Sequence, residues 1–373
     1  RKLENNGDGY YLAAKVGCDL VDMEMVQFHP TGMLLPEDIA GTLVTEAVRG
    51  EGGKLFNRKG ERFMNNYDKK RMELSTRDIV ALANYTEIIE GRGSENGGVY
   101  LDISHKSKEF ILNKIPKIYR QFIEYQMIDI SKVAMEVAPT AHYSMGGISV
   151  SPEEHSTSVR GLYAAGEVAG GLHGANRLGG NSLAEILVFG KMAGKAAANY
   201  SKGLKILMRS SNAIKASHEN INKRIKNGTN IGIFLNQELR EIMWKKCGVV
   251  KEESNLKEGL ELIRDLKKKS NNTDIILKEN DCSDLISSFD LEASIFSAEA
   301  TILSSIERKE SRGSHQRSDF NSTNNLFNCN FLVKIQDDQV TSFKRELKPL
   351  KNKLNNIIKQ TGEIKTFTGK LIE

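Results

Sequence analysis

A glycine-rich loop lies directly before a predicted helix start, an arrangement that suits the binding of a phosphate or an electron-rich ring. The loop runs from Gly166 to Gly180, and Ser182 follows it closely. Ser182 and Glu185 have the S-x-x-E spacing of a capping box, in which side chain and backbone satisfy two free N–H groups at a helix start. Because a helix start carries bare N–H groups and the positive end of the helix dipole, this place favours negative charge.

The elements on either side of this loop are predicted from their apolar patterns. Leu162 to Ala165 is a short apolar run before a glycine, which is typical of a buried strand that leads into a loop. A helix is predicted to follow to about residue 198. Along that helix runs a stripe of small residues that permits close packing against a sheet: Gly190, Ala193, Gly194 and Ala197. On composition alone, a purely structural strand–loop–helix is an equal alternative to a ligand site.

The second half of the chain has the periodicity of amphipathic helices. Apolar residues recur at helical spacing in two runs: Leu256, Leu260, Ile263 and Leu266, and then Leu291, Ile295, Ala298, Ile302 and Ile306. Residues 271–274 predict a loop between helices, and the apolar run Phe331 to Val333 predicts a strand.

The composition is that of an ordinary globular protein of roughly two or three domains. The chain has 373 residues, and 53 basic against 48 acidic residues give a net charge of +5, which is too mild to indicate a nucleic-acid partner. No apolar stretch approaches the roughly 18–20 residues of a spanning helix, so a soluble, cytoplasmic protein is expected. The 4 cysteines lie far apart without a C-x-x-C pair, which argues against a disulfide framework, a zinc ribbon or an iron–sulfur site within the chain. No metal site is predicted.

Short blocks spread over the chain match one family when they are taken together. They are residues 27–32 (QFHPTG), 43–53 (LVTEAVRGEGG), 139–147 (PTAHYSMGG), 161–168 (GLYAAGEV), 173–183 (HGANRLGGNSL) and 310–315 (ESRGSH). As a set, these blocks closely resemble the flavoprotein subunits of succinate dehydrogenase and fumarate reductase, in the FAD-dependent oxidoreductase 2 superfamily that also includes L-aspartate oxidase. The resemblance covers essentially the whole chain and is densest over residues 7–198.

The resemblance implies an α/β fold with an FAD-binding domain, incomplete at its N-terminus, an inserted α+β capping domain and a helical C-terminal domain. It places residues 1–25 and 139–202 in the FAD-binding domain, 26–138 in the capping domain, 203–310 in the helical domain and 311–373 in a small C-terminal module. The family begins with a strand–G-x-G-x-x-G–helix that holds the FAD pyrophosphate, and this sequence has no such motif. We therefore expect a flavoprotein that lacks its first part, through truncation, a split gene or a misplaced start.

The resemblance also implies a four-carbon dicarboxylate substrate, fumarate or succinate, held by hydrogen-bond donors. It assigns His29 and Thr45 to one carboxylate, and His142 and Arg177 to the other. An arginine suits this task because its planar guanidinium binds a carboxylate through two parallel hydrogen bonds. The residues that the resemblance assigns to FAD are Asp8, Glu167, Ser182 and Leu183.

The catalytic acid is expected in the block Ser75 to Asp78, which resembles the block that carries the family's catalytic arginine. Arg77 is therefore the expected proton donor. A guanidinium hardly ever loses its proton, so a relay must resupply it. The resemblance assigns that relay to Glu46 and Arg49, which lie at i and i+3 and share one face if the segment is helical.

The predicted function is that of the flavoprotein subunit of a fumarate reductase or succinate dehydrogenase. By resemblance, it works with an iron–sulfur subunit and reaches the membrane only through its partners. A Lys- and Asn-rich C-terminal third is compatible with the thiol-linked fumarate reductase of methanogenic archaea. L-aspartate oxidase is the alternative, because the shared donors do not distinguish the substituent at the substrate's C2. A non-catalytic or split-gene fragment is a second alternative, against which the full set of donors argues.

Overall fold

The computed structural model describes residues 6–205, 210–225, 228–276 and 281–347. The chain divides into two compact units. The insert unit is Val26–Tyr143, and the flanking unit comprises the described residues up to Met25 and from Ser144 onward. The finer domain boundaries expected from the sequence stay a prediction. Within the described ranges, no helix is both long and apolar enough to cross a lipid bilayer.

Helices and strands alternate along the insert unit, whereas helices dominate the later part of the flanking unit. In chain order the elements are α1 (Asp8–Lys15), β1 (Leu20–Val21), β2 (Val26–Met33), α2 (Ala47–Gly50), β3 (Lys54–Phe56), α3 (Met64–Tyr67), α4 (Arg77–Glu87), β4 (Val99–Asp102), α5 (Lys108–Lys114), α6 (Pro116–Gln126), β5 (Met135–Ser144), β6 (Gly147–Ile148), α7 (Asn181–Lys202), α8 (Ser211–Arg224), α9 (Gly232–Cys247), β7 (Val250–Lys251), α10 (Glu253–Ser270), α11 (Ser283–Glu307), β8 (Gln316–Arg317), β9 (Cys329–Gln336) and β10 (Gln339–Glu346).

The insert unit is built on a sheet with the strand order β2-β5-β4-β3. Antiparallel pairing sets Val99 opposite Val137, and both side chains are fully buried in the unit's core. Helix α4 packs on β2, and the Asn84 side chain donates a hydrogen bond of 2.8 Å to the backbone carbonyl of Pro30. Because β2 is buried along nearly its whole length, its polar side chains are held in a water-poor environment.

The flanking unit combines a sheet of order β10-β9-β1-β6 with a group of helices. Leu20 on β1 pairs with Ile148 on β6 and with Val333 on β9. Helices α9, α10 and α11 pack around a shared core in which Leu256, Ile263 and Leu266 are fully buried.

Several elements expected from the sequence are confirmed. The two amphipathic helices correspond to α10 and α11, residues 271–274 form the turn after α10, and the predicted strand lies within β9. These predictions succeed because the buried residues repeat at the period of the element that buries them.

Two local predictions around the glycine-rich loop are wrong. Leu162 to Ala165 does not form a strand: among the described residues, only an isolated bridge joins Tyr163 to Ser156, and an apolar run becomes a strand only where neighbouring backbone pairs with it. The capping box is also absent, because the N-cap is Gly180 in the left-handed conformation (φ +84°). Glu185 is buried and binds His173 instead of capping the helix start.

The small-residue stripe of α7 does not pack against a sheet within the described part of the chain. A Cβ atom added at Gly190 or Gly194 would meet no atom of a described residue within 4 Å. On the same helix, Leu183, Leu187 and Val188 are more than half exposed.

Candidate active site

Two histidines from neighbouring strands meet in the insert unit. His29 on β2 and His142 on β5 have ring centroids 5.3 Å apart, with the rings inclined at 72°. His29 is 2% exposed, and burial lowers its pKa to about 3, with further lowering by the charges of His142, Arg77 and Arg49. His29 is therefore a neutral imidazole at physiological pH, able to donate one hydrogen bond without carrying charge.

Thr31 fixes the plane of the His29 ring. The ring atom Nδ1 lies 3.2 Å from the backbone carbonyl oxygen of Thr31 and 3.3 Å from its backbone nitrogen. The Thr31 hydroxyl donates a hydrogen bond of 2.7 Å to the carbonyl of Val44, directly before Thr45. This hydrogen bond joins β2 to the segment that carries Thr45. The Thr45 side chain itself is exposed.

Arg77 and Glu46 form an ion pair. Arg77 is the first residue of α4, and its Nε and Nη2 atoms lie 3.0 and 2.9 Å from Oε2 of Glu46. The Arg77 side chain is 16% exposed and the Glu46 side chain is 49% exposed, so the pair lies at the edge of the solvent. The Arg77 Nη1 atom is buried and has no hydrogen-bond partner among the described residues.

Arg49 on the short helix α2 lies close enough to this pair to interact with both charges. Burial lowers the pKa of Arg49, the charge of Arg77 lowers it further, and the charge of Glu46 opposes both effects. Arg49 is 2% exposed, its Nη1 donates to the backbone carbonyl of Glu73, and its Nε and Nη2 are buried without a partner within the described ranges. Because Glu46 is the N-cap of α2, the predicted i, i+3 relation of Glu46 and Arg49 falls at the start of a helix.

Unsatisfied cationic donors make the insert unit suited to an anion. A buried charged donor without a partner costs more than about 1–3 kcal/mol, and a carboxylate can accept from several such donors at once. Within the described ranges, Arg77 Nη1 and two nitrogens of Arg49 are such donors, and a neutral His29 interacts with both arginines. The structure thus brings together His29, His142, Glu46, Arg49 and Arg77, all of which the sequence had singled out.

The flanking unit groups Glu167, Arg177 and Ser182. Arg177 is 4% exposed, and its Nη1 lies 3.4 Å from the Ser182 hydroxyl. The Glu167 carboxylate accepts from the backbone N–H of Ser144 at 3.0 Å. Partial burial raises the pKa of Glu167, the positive charge of Arg177 opposes this, and the nearby Glu185 adds to it.

The start of α7 fits the flavin that the sequence led us to expect. Among the described residues, no side-chain hydrogen bond caps this helix, and no atom lies within 4 Å of the Cβ position of Gly174 or Gly180. A planar group can approach such a backbone closely, and the helix dipole favours negative charge on it. Leu183 is 66% exposed at this place, whereas Asp8, the first residue of α1, lies near Asp290.

The sequence analysis did not identify two groups of residues, one that contacts Arg49 and one that contacts the loop before Arg177. In the insert unit, Glu73 and Arg62 form a bidentate ion pair next to Arg49. In the flanking unit, Ser314 donates from its N–H and its hydroxyl to the carbonyl of Ala175, at 2.9 and 3.0 Å. The sequence signal for the second group is the block 310–315, whereas nothing local in the sequence pairs residues 62 and 73.

Comparisons with known proteins match two family models to successive parts of the chain. The family described as the FAD binding domain matches residues 2–183, and the fumarate reductase flavoprotein C-term matches residues 236–361. One of the subunits of the fumarate reductase (CoM/CoB) of Methanothermobacter marburgensis is 46% identical over 322 residues, which cover 86% of this chain and 58% of that protein.

Two solved structures of flavoprotein subunits are similar to this chain over most of its length. Mycobacterium smegmatis Sdh1 in complex with UQ1 has a TM-score of 0.84 and 36% identity, covering 97% of this chain and 61% of that chain. A single-residue variant of the E. coli quinol fumarate reductase FrdA has a TM-score of 0.83 and 31% identity, covering 92% of this chain and 62% of that chain.

Fold and sequence therefore define an FAD-binding protein of α/β class with a helical C-terminal part, as the sequence predicted. The chain belongs to the family of succinate dehydrogenase and fumarate reductase flavoprotein subunits. FAD is confirmed as the expected cofactor by the FAD-binding-domain match. The chain spans less than two thirds of the length of these relatives.

Proposed function

We propose that this protein interconverts fumarate and succinate as the FAD-dependent flavoprotein component of a fumarate reductase or succinate dehydrogenase. The observation that carries the proposal is a cluster in the insert unit, where buried arginine donors that have no partner among the described residues lie beside a neutral His29. A dicarboxylate supplies acceptors for such donors, and a water-poor environment strengthens each contact.

Substrate binding is proposed to use neutral and cationic donors. His29 and Thr45 bind one carboxylate, and His142 and Arg177 bind the other. A neutral His29 suits this role, because an N–H donor orients a carboxylate while the arginines supply the charge.

Proton transfer is assigned to Arg77. FAD, when bound and reduced by the electron donor, would supply the hydride that adds to one alkene carbon. A guanidinium N–H bond of Arg77 breaks as a C–H bond forms at the neighbouring carbon, and Arg77 recovers a proton through Glu46. The contact of 2.9 Å between Glu46 and Arg77 supports this path, and so does the proximity of the charge of Arg49.

An iron–sulfur subunit is the proposed electron-transfer partner, and a cytoplasmic location, peripheral at the membrane through partner subunits, is the proposed placement. The relatives support a partner, since they are named as subunits of larger enzymes, among them a fumarate reductase (CoM/CoB). That name also favours thiols as the electron donors for this protein.

The test uses the FAD-loaded protein, reduced viologen as electron donor and fumarate as acceptor. We expect fumarate-dependent dye oxidation, and we expect Arg77→Ala to lower turnover by about 10²–10⁴-fold while the flavin stays bound. Arg58→Ala is the control, because Arg58 forms an exposed ion pair with Glu95 in the same unit.

Near-parental turnover in Arg77→Ala would overturn the assignment of the acid. Bound, reducible flavin without fumarate turnover, but with peroxide release from L-aspartate, would move the function to aspartate oxidation. Failure to bind flavin at all would favour the non-catalytic fragment.

A further inference from the structure

An ion pair with one buried partner lies next to Arg49 in the insert unit. Arg62 donates from Nε and Nη2 to the two carboxylate oxygens of Glu73, at 2.9 and 2.7 Å. The Glu73 side chain is 4% exposed and the Arg62 side chain is 41% exposed. A bidentate pair with one buried partner holds both side chains in one geometry, unlike most surface ion pairs.

Glu73 connects this ion pair to Arg49 and to the sheet. Its carboxylate also accepts from the backbone N–H of Leu55 on β3 at 3.1 Å. Its backbone carbonyl accepts from Nη1 of Arg49, which is the single hydrogen bond of the Arg49 side chain within the described residues. The position of the Arg49 guanidinium therefore depends on where the Glu73 carbonyl stands.

The segment that contains Glu73 also precedes Arg77, the proposed proton donor. Glu73 lies in the one-turn helix Met72–Leu74, directly before the start of α4 at Arg77. The Ser75 hydroxyl donates to Asp68 at 2.7 Å and secures the segment between them. A shift of Glu73 thus moves Arg49 and the backbone before Arg77 together.

We propose that the Arg62–Glu73 ion pair is a positioning device that sets Arg49 against the Glu46–Arg77 pair and so maintains proton supply to Arg77. The proposal rests on the proposed function, because it assumes that Arg77 donates the proton. Neither Arg62 nor Glu73 touches substrate; both act through Arg49. An ordinary structural ion pair in the same place would contribute to stability alone.

The experiment compares Arg62→Gln, Arg62→Lys and Glu73→Gln in the FAD-loaded protein, with Arg58→Gln as the matched control. Arg62 and Arg58 are both partly exposed arginines of the insert unit that pair with a glutamate, but only Arg62 reaches Glu73. The readouts are kcat and KM for fumarate, the solvent deuterium isotope effect on kcat, and the melting temperature. Amide hydrogen exchange of residues 47–52 is followed in parallel.

We expect Arg62→Gln and Glu73→Gln to lower kcat by roughly tenfold or more, the low side of what a misplaced proton donor costs. KM should stay within about threefold, since no substrate donor is removed, and the isotope effect should rise as proton transfer becomes slower. Arg62→Lys, which keeps the charge, should recover part of kcat, and Arg58→Gln should match the parent. Exchange at residues 47–52 should rise only in the Arg62→Gln and Glu73→Gln variants.

A folded Arg62→Gln variant with parental kcat and isotope effect would overturn the proposal, as would parental exchange at residues 47–52. Because Arg62 is partly exposed, this variant decides the question even if Glu73→Gln fails to fold. An unmodified protein that never reduces fumarate would instead show that the proposed function has failed. The exchange measurement would then still establish whether the ion pair holds the Arg49 segment.

Discussion

Burial sets the protonation state of the residues that the insert unit gathers. Burial disfavours the charged form of His29 on β2, and a second imidazole and two arginines nearby add to this effect, so its pKa falls to about 3. Arg49 is equally buried but keeps one backbone acceptor, the carbonyl of Glu73. Neutral and cationic donors thus stand side by side, because burial removes the charge of the His29 imidazole, whereas a guanidinium at rest stays protonated.

His29 makes the insert unit sensitive to acid. In the unfolded chain a histidine binds a proton near pH 6.5, whereas folded His29 does so only near pH 3. Between these values the unfolded state binds more protons, so the stability contributed by neutral His29 is full above pH 6.5 and is lost as the pH falls toward 3.

We expect His29→Gln to remove this dependence. Between pH 7 and pH 5, the free energy of unfolding of the parent should fall by about 2 kcal/mol more than that of the variant. Urea denaturation at the two pH values measures the difference, and His218→Gln, on the exposed surface of α8, is the control. Equal losses in the parent and His29→Gln would contradict a depressed pKa.

At the scale of single elements, turns place the functional groups as much as helices and strands do. The segment 310–315 turns against the loop before Arg177, and Gly313 has φ +56°. A Cβ at Gly313 would lie 2.4 Å from the carbonyl oxygen of Ala175, the atom that Ser314 binds twice. The turn therefore requires glycine at position 313 for two reasons: the positive φ, and the short distance to the Ala175 carbonyl.

We expect Gly313→Ala to destabilise the flanking unit by about 2–4 kcal/mol, because strain and a backbone clash add. Gly17→Ala is the control: Gly17 also has positive φ, at +97°, but no atom of a described residue lies within 4 Å of its Cβ position. That variant should lose only the strain, about 1–2 kcal/mol. Calorimetric unfolding of both variants measures the difference, and equal melting temperatures would contradict the clash.

At the scale of the whole flanking unit, Arg308 ties together segments that are far apart in sequence. Its Nε donates to Glu24 at 2.6 Å, its Nη1 to Glu310 at 3.0 Å, and its Nη2 to the carbonyl of Cys329 at 3.1 Å. Arg308, Glu24 and Glu310 are all at most 2% exposed. Removing one member of such a buried network leaves the others charged and uncompensated.

We expect Arg308→Gln to lower the free energy of unfolding by about 3–5 kcal/mol. The double variant Arg308→Gln with Glu24→Gln should recover part of the loss, because one of the uncompensated carboxylates is then gone. Urea denaturation of the parent, single and double variants measures both effects. A loss below about 1 kcal/mol in the single variant would show that the network contributes little.

Much of the fold and the site could be predicted because it is encoded locally. Helices α10 and α11 are recognisable from their apolar spacing, and blocks of neighbouring residues identify the family and name His29, Thr45, Arg77, His142 and Arg177. The predictions of a strand at residues 162–165 and of a capping box at Ser182 and Glu185 are wrong for one shared reason. Each also fits a local pattern, but strand pairing and the partner of Glu185 depend on residues elsewhere in the chain.

The sequence by itself determined which functional groups the protein carries, because it specifies the type of each side chain and the residues next to it along the chain. Only the tertiary structure decided their states: the neutral ring of His29, the Arg49 donors that no described residue satisfies, and the ion pair of Arg62 with Glu73. These states depend on distance and on the exclusion of water, and both arise only when segments far apart in the sequence are packed together.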